Sequence, residues 1–123
     1  MAASTIARAL PLAGLLLGAV ALGGCVSAGD SAGRASTLAT TISRASACKA
    51  GAPQRTTLDR FLDSEKARGA TPEQLSAARS AYIGVSEAEM VNQGVRPRPC
   101  TAEEREALKR RMAEIRAGNF EAR

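Results

Sequence analysis

An all-α fold is what the sequence predicts: three or four short helices clasped by one disulfide, behind a flexible N-terminal tether. Three observations lead there. Helix start and stop signals recur between Thr56 and Gly118, no stretch alternates apolar and polar residues as a half-buried strand does, and Cys48 and Cys100 bracket the middle of the chain. With 123 residues there is room for one small domain at most.

The first element is a segment to be removed. "MAASTIAR" carries Arg8 and no acid, and the residues from Ala9 to Leu22, "ALPLAGLLLGAVAL", hold no charge. A positive start followed by a short apolar core has the form of a signal peptide, whereas a spanning helix needs roughly 20 apolar residues. Gly14, Gly18, Gly23 and Gly24 also weaken any stable helix there. The run stops at "LGGC", residues 22 to 25, and this resembles the lipobox of bacterial lipoprotein precursors. The resemblance covers only about the first twenty-five residues. It implies cleavage between Gly24 and Cys25, a diacylglyceryl group on the Cys25 sulfur and often a further acyl chain such as palmitate on the new N-terminus. Two or three chains anchor stably where one binds marginally, since each buried methylene adds ~0.8 kcal/mol. Val26 follows the cysteine in place of the aspartate that retains many lipoproteins in the inner membrane. The expected address is therefore the cell envelope, on the outer membrane facing the periplasm where the host has two membranes.

Residues 25–47 read as the lipidated cysteine and a tether rich in Ser, Ala, Thr and Gly. Leu38 and Ile42, four apart, offer one face of a short helix over 35–47, which the Thr-rich composition weakens, so helix and disorder both remain open there.

The domain is expected over 48–123. Outside the cytoplasm, the two cysteines remaining after Cys25 are most simply one disulfide, Cys48 to Cys100. Metal binding wants more ligands, the chain has no histidine, and neither cysteine lies in a Cys-x-x-Cys redox motif. Closing a loop of about 53 residues removes denatured-state entropy worth ~4 kcal/mol in the chain-entropy model. The staple matters because the expected core is thin: Leu58, Phe61, Leu62, Leu75, Tyr82, Ile83, Val85, Leu108, Met112 and Ile115.

Thr56 or Thr57 caps a first helix that ends near Gly69. "TPEQL" then starts a second, with Thr71 as cap, Pro72 at the first position and Gln74 as the reciprocal partner. Leu75, Ala78, Tyr82 and Val85 share one face of it. Gly84 and "SEAE" at 86–89 leave open one long helix or two, ending at Gly94. "VRPRPC", 95–100, cannot be helical, because each proline pushes its predecessor to extended geometry. It reads as a stiff strap that delivers Cys100. "TAEE" supplies another capping box, Thr101 with Glu104, before a last helix with Leu108, Met112 and Ile115 on one face and Glu106 paired with Arg110 on another, stopped by Gly118, which leaves Phe120 to fold back or to remain exposed.

Chemistry is sparse. Glu87 and Glu89 stand two apart and do not face each other on a helix, while Asp59 and Asp63 share a face in the manner of solvated surface carboxylates. Without histidine no nucleophile–base pair presents itself, and Lys49, Lys66 and Lys109 have no visible desolvating pocket. No phosphate loop, metal spacing or cofactor fingerprint occurs, so neither enzyme activity nor a cofactor or metal is expected. From Cys25 onward sixteen basic side chains oppose twelve acidic ones. Export and the scarcity of aromatic residues set nucleic acid aside in favour of anionic lipid or cell-wall polymer. The expected role is a non-enzymatic accessory or assembly factor, held to the membrane by acyl chains on Cys25 and docking an envelope protein. The alternative is a binding module for an acidic ligand or cell-wall polymer. The residues expected to touch a partner are Met90, Val91 and Phe120, which have no evident place in the core, and Arg96 and Arg98 on the strap.

Overall fold

The computed structural model describes residues 30–121, and these form four α-helices with no strand among them. α1 spans Ser31–Ala47, α2 Thr57–Ala67, α3 Pro72–Val95 and α4 Ala102–Arg116. The expected all-α class holds. Cys48 and Cys100 form a disulfide with a Cα–Cα distance of 5.6 Å, inside the range a disulfide spans without backbone movement. Cys25, the segment before it and Val26 lie outside the described residues.

The largest departure from expectation is α1. The tether drawn to residue 47, and the domain start at Cys48, are corrected: Ser31–Ala47 is a helix of the bundle itself. Asp30 caps it by accepting from the Gly33 amide, and Ala35, Leu38, Ala39, Ile42 and Ala45 form a buried stripe. Two of its hydroxyls bond within the helix, Ser36 Oγ to the Ala32 carbonyl and Thr37 Oγ1 to that of Gly33, so these do not compete with its packing. Tertiary burial thus overrides a weak intrinsic propensity. Small Ala35 and Ala39, both fully buried, let α1 lie close against its neighbour.

α1 packs most extensively on α3, and the two run in the same sense. Ser31 and Arg34 share a cleft with Gln74 at one end, while Gln93 Nε2 donates to the Ser43 carbonyl at 3.0 Å toward the other. α4 runs against them, since Glu104 in its first turn meets Arg44 in the last turn of α1. The core joins these helices around Phe61, Met112 and Ile115, with Leu38, Ile42, Leu62 and Ala78 beside them. Leu58, Leu75, Tyr82 and Leu108 are half-buried against it. Ile83, expected inside, is exposed, because it follows Tyr82 by about 100° and so points off the face that Ala78 and Tyr82 bury.

Helix ends explain the turns. After α1, α2 and α4 the chain closes with paired bonds: Ala50 N donates to Ala45 O and Lys49 N to Ser46 O, and the same pattern recurs at Gly69–Ala70 and Gly118–Asn119. Gly69 and Gly118 supply the positive φ this requires, whereas after α1 a non-glycine, Lys49, adopts φ 53°. α3 ends differently. It runs unbroken through Gly84 and past Gly94 to Val95, where Pro97 and Pro99 enforce the extended strap.

Candidate functional site

Two polar clusters are closed. Glu65, only 1% exposed, accepts from Ser31 Oγ at 2.7 Å and from Arg34 Nε at 2.9 Å, with a further Arg34 bond and Arg68 nearby. Burial pushes this carboxyl up, but the bonds from Arg34 and Ser31 and the positive charges of Arg34 and Arg68 outweigh it, leaving Glu65 below the usual carboxylate range. At the opposite end Arg44 grips Glu104 at 2.6 and 2.8 Å and also donates to the carbonyls of Arg98 and Pro99, both at 3.2 Å. Arg44 thereby fixes the strap. The capping box expected at Thr101 is half-made for the same reason: Thr101 Oγ1 accepts from the Glu104 amide, but the Glu104 carboxylate is taken by Arg44. That bond, with the Arg44 charge, lowers the Glu104 pKa.

Cys48, Cys100 and Glu104 bring three ligand-type atoms within 4.8 Å of one another. Both sulfurs are bonded to each other and the carboxylate is engaged by Arg44, so the group acts as a clasp. Among the described residues no buried side-chain nitrogen or oxygen lacks a partner. Asp59 pairs with Arg79 at the surface, and Asp63 is exposed. Glu106 pairs with Lys109 at 2.8 Å, which lowers its pKa, in place of the expected partner Arg110.

The open feature is the outer face of the second half of α3. Among the described residues the exposed large hydrophobic side chains are Ile83 (44%), Met90 (68%), Val91 (61%) and Val95 (73%), all on this one segment. Gly84, Ala88 and Gly94, also exposed, lie among them, and Glu87 is the one charge on that face. A Cβ added at Gly84 or Gly94 would meet nothing within 4 Å. Beside Met90 a shallow, mainly apolar groove runs between α1 and α3, bordered by Ile42, Ser46, Pro53, Tyr82 and Gln93. Burial raises the Tyr82 pKa.

Of the residues expected to touch a partner, Met90 and Val91 stand exposed together, with Arg96 and Arg98 exposed just beyond α3 and in no ion pair among the described residues. Phe120 is a correction. It packs edge-on against Phe61, ring centroids 5.7 Å apart, because the left-handed turn at Gly118 folds the chain back onto the core. Ile83 and Val95 complete the face and were not anticipated. The signal for Val95 was available: with Val91 it repeats at i,i+4 opposite the buried side of α3.

Comparison with family models, with curated proteins and with solved structures finds no match for this chain. Among the described residues no helix is long and apolar enough to cross a membrane.

Proposed function

We propose that the protein is a lipid-anchored component of the bacterial cell envelope that acts by binding a protein through the outer face of α3, without turnover. The observation that carries this reading is the gathering of Ile83, Met90, Val91 and Val95 on one unpartnered helical surface. Scattered exposed apolar residues need no explanation, but a contiguous patch marks an interaction site. The polar clusters favour the same reading, since Glu65 and Glu104 are both engaged in holding the fold.

Anchoring rests on "LGGC" and the charged, then apolar, start. With Val26 after the modified cysteine, the periplasmic side of an outer membrane is the address favoured. Because the bundle begins at Asp30, the leash from Cys25 reaches only about 17 Å at ~3.4 Å per residue. A leash that short keeps the bundle close to the bilayer surface and at high effective concentration for other membrane-held proteins.

Labelling cells with a fatty-acid analogue tests the anchor: label is expected on the wild type and none on Cys25→Ala. An unlabelled wild type that retains residues 1–24 would end that part of the proposal. Crosslinking in cells from positions on the α3 face tests the binding part. Defined products are expected there and not from Asp63 on α2.

A further inference from the structure

The end of the bundle where α1 stops, the strap crosses and α4 starts is strongly basic. Lys49 follows Cys48, Arg98 stands two residues before Cys100, Arg96 closes α3, and Arg105 Nε donates to the Cys48 carbonyl at 3.0 Å, so the disulfide gathers all of them. With Arg44 they make five cations against two carboxylates, Glu103 and Glu104, and Glu104 is the one that Arg44 holds. Lys109 and Glu106, next along α4, pair with each other. Lys49, Arg96 and Arg98 are exposed, and neither they nor Arg105 enter an ion pair among the described residues. Around the start of α1 the balance differs, since Asp30, Glu65, Glu73 and Glu121 offset Arg34, Lys66 and Arg68. We infer that the disulfide end is a second point of membrane attachment, at which Lys49, Arg96, Arg98 and Arg105 bind anionic headgroups of the leaflet that holds the acyl chains on Cys25. The inference rests on that anchor and is independent of what the α3 face binds.

α1 separates the two attachments. Its 17 residues rise about 25 Å between the leash and Cys48, so the acyl chains and the basic cluster sit at opposite ends of the bundle. The leash alone lets the bundle stand off the surface or lie along it, and attraction at the far end selects the second arrangement. Guanidinium forks match the paired oxygens of a phosphate, and Lys49 adds a compact charge. Each such cation near an anionic surface favours the docked state about fivefold, and the anchor supplies the headgroups without a separate encounter. Little ordering is needed on docking. Arg44 holds the carbonyls of Arg98 and Pro99, both at 3.2 Å, and Cys100 is tied to Cys48, so the backbone that carries the cations is fixed beforehand. A cell-wall polymer also presents anions, but the leash keeps the headgroups of the bundle's own leaflet within constant reach.

The test uses the lipidated protein, purified from cells and placed in vesicles of phosphatidylcholine alone or of phosphatidylcholine and phosphatidylglycerol in equal parts. A fluorophore on Ala102→Cys, at the exposed start of α4, reports approach to quenchers carried on the lipid headgroups. Strong quenching is expected only with phosphatidylglycerol, and high salt should abolish it. Arg96→Gln with Arg98→Gln should lower the ratio of docked to undocked protein about 25-fold, whereas Lys66→Gln on α2 should leave it unchanged. Arg44 engages the carbonyl of Arg98 and not its side chain, so the paired substitution spares the strap. Equal quenching in the two vesicles, or quenching that survives the paired substitution, would overturn the inference. Retention on purified cell-wall polymer through Arg96 and Arg98, without quenching that depends on phosphatidylglycerol, would overturn the lipid assignment in favour of the polymer. A protein recovered without acyl chains on Cys25 fails at the anchor instead, which the fatty-acid label reads separately, and takes this inference with it.

Discussion

The two halves of α3 are equally bare on their outer side and opposite in what they show there. In the first half Glu73, Ser76, Arg79 and Ser80 face solvent; in the second Ile83, Ala88, Met90, Val91 and Val95 do, with Glu87 the one charge among them. Exposure alone therefore says nothing about function, and the change of chemistry along one continuous helix does. The inner side differs too. The first half starts with a complete capping box and buries Ala78, while the second contributes no buried residue and ends in a strap held by Arg44 and the disulfide. α3 is the longest element, 24 residues against 17 in α1, so its end depends on these clamps more than on packing.

The strongest way to break this contrast is to remove the clasp. Cys48→Ser with Cys100→Ser should lower stability by up to ~4 kcal/mol in the chain-entropy model. Hydrogen exchange should report the loss first at the amides of residues 85–95, with the Glu65 end retaining its protection longest. Little change in the denaturation midpoint would mean that the helices suffice alone.

The opposite end is tested through Glu65. Arg34→Met strips the main partner from a buried carboxylate and should cost about 3 kcal/mol, within the range for leaving a buried charge uncompensated. The pH dependence has a defined sign. The folded pKa of Glu65 is lowered, so its contribution is fully present above the unfolded value of about 4.3 and is lost as pH falls through the folded value. Glu65→Gln should flatten that acid limb in urea titrations repeated at descending pH. An unchanged slope would place the acid sensitivity elsewhere, with Glu104, whose pKa is also lowered, as the next carboxylate to replace.

What was legible in the sequence follows from the range of each interaction. Thr71 with Gln74, the stop at Gly69 and the break at Pro97 are local, and each stands where the residue pattern puts it. α1 was half legible, with helix and disorder both open over 35–47, because its buried stripe is largely alanine, with Leu38 and Ile42 the only large members, and it is the other helices of the bundle that make it a core face. Phe120 was misplaced because its partner Phe61 is remote in sequence and joined to it by one glycine turn. Arg34 and Arg44 looked like any surface arginine until the chain brought carboxylates to them. The α3 face was half legible: Met90 and Val91 stood out for having no place in the core, while Ile83 was counted among the core residues.

A smaller effect is expected at the strap. Arg44→Met removes paired bonds to Glu104 and two to carbonyls, and should cost about 1–2 kcal/mol, since both side chains retain some contact with water. If Arg44 orders the strap, this variant should also raise exchange at the Arg96 and Arg98 amides while leaving the Glu65 end unchanged. Uniform loosening of both ends would show that the two clamps act as one unit.

The smallest expected effect on stability separates binding from folding. Met90→Ser with Val91→Ser replaces side chains that are mostly in water already, so the folded state loses almost no burial and the unfolding midpoint should shift by no more than the equivalent of ~0.5 kcal/mol. Serine lowers helix propensity only slightly, and the clamps at Arg44 and Cys100 hold the end of α3 regardless. Capture of the partner at the α3 face should nonetheless fall sharply, because the same two residues lie at the centre of the apolar patch, where interface energy concentrates. The paired control is Ser76→Ala with Ser80→Ala on the polar half of the same face, which should change neither quantity. Destabilisation by the first pair would mean that Met90 and Val91 support the fold, and an effect of the second pair on capture would extend the interface along the whole of α3.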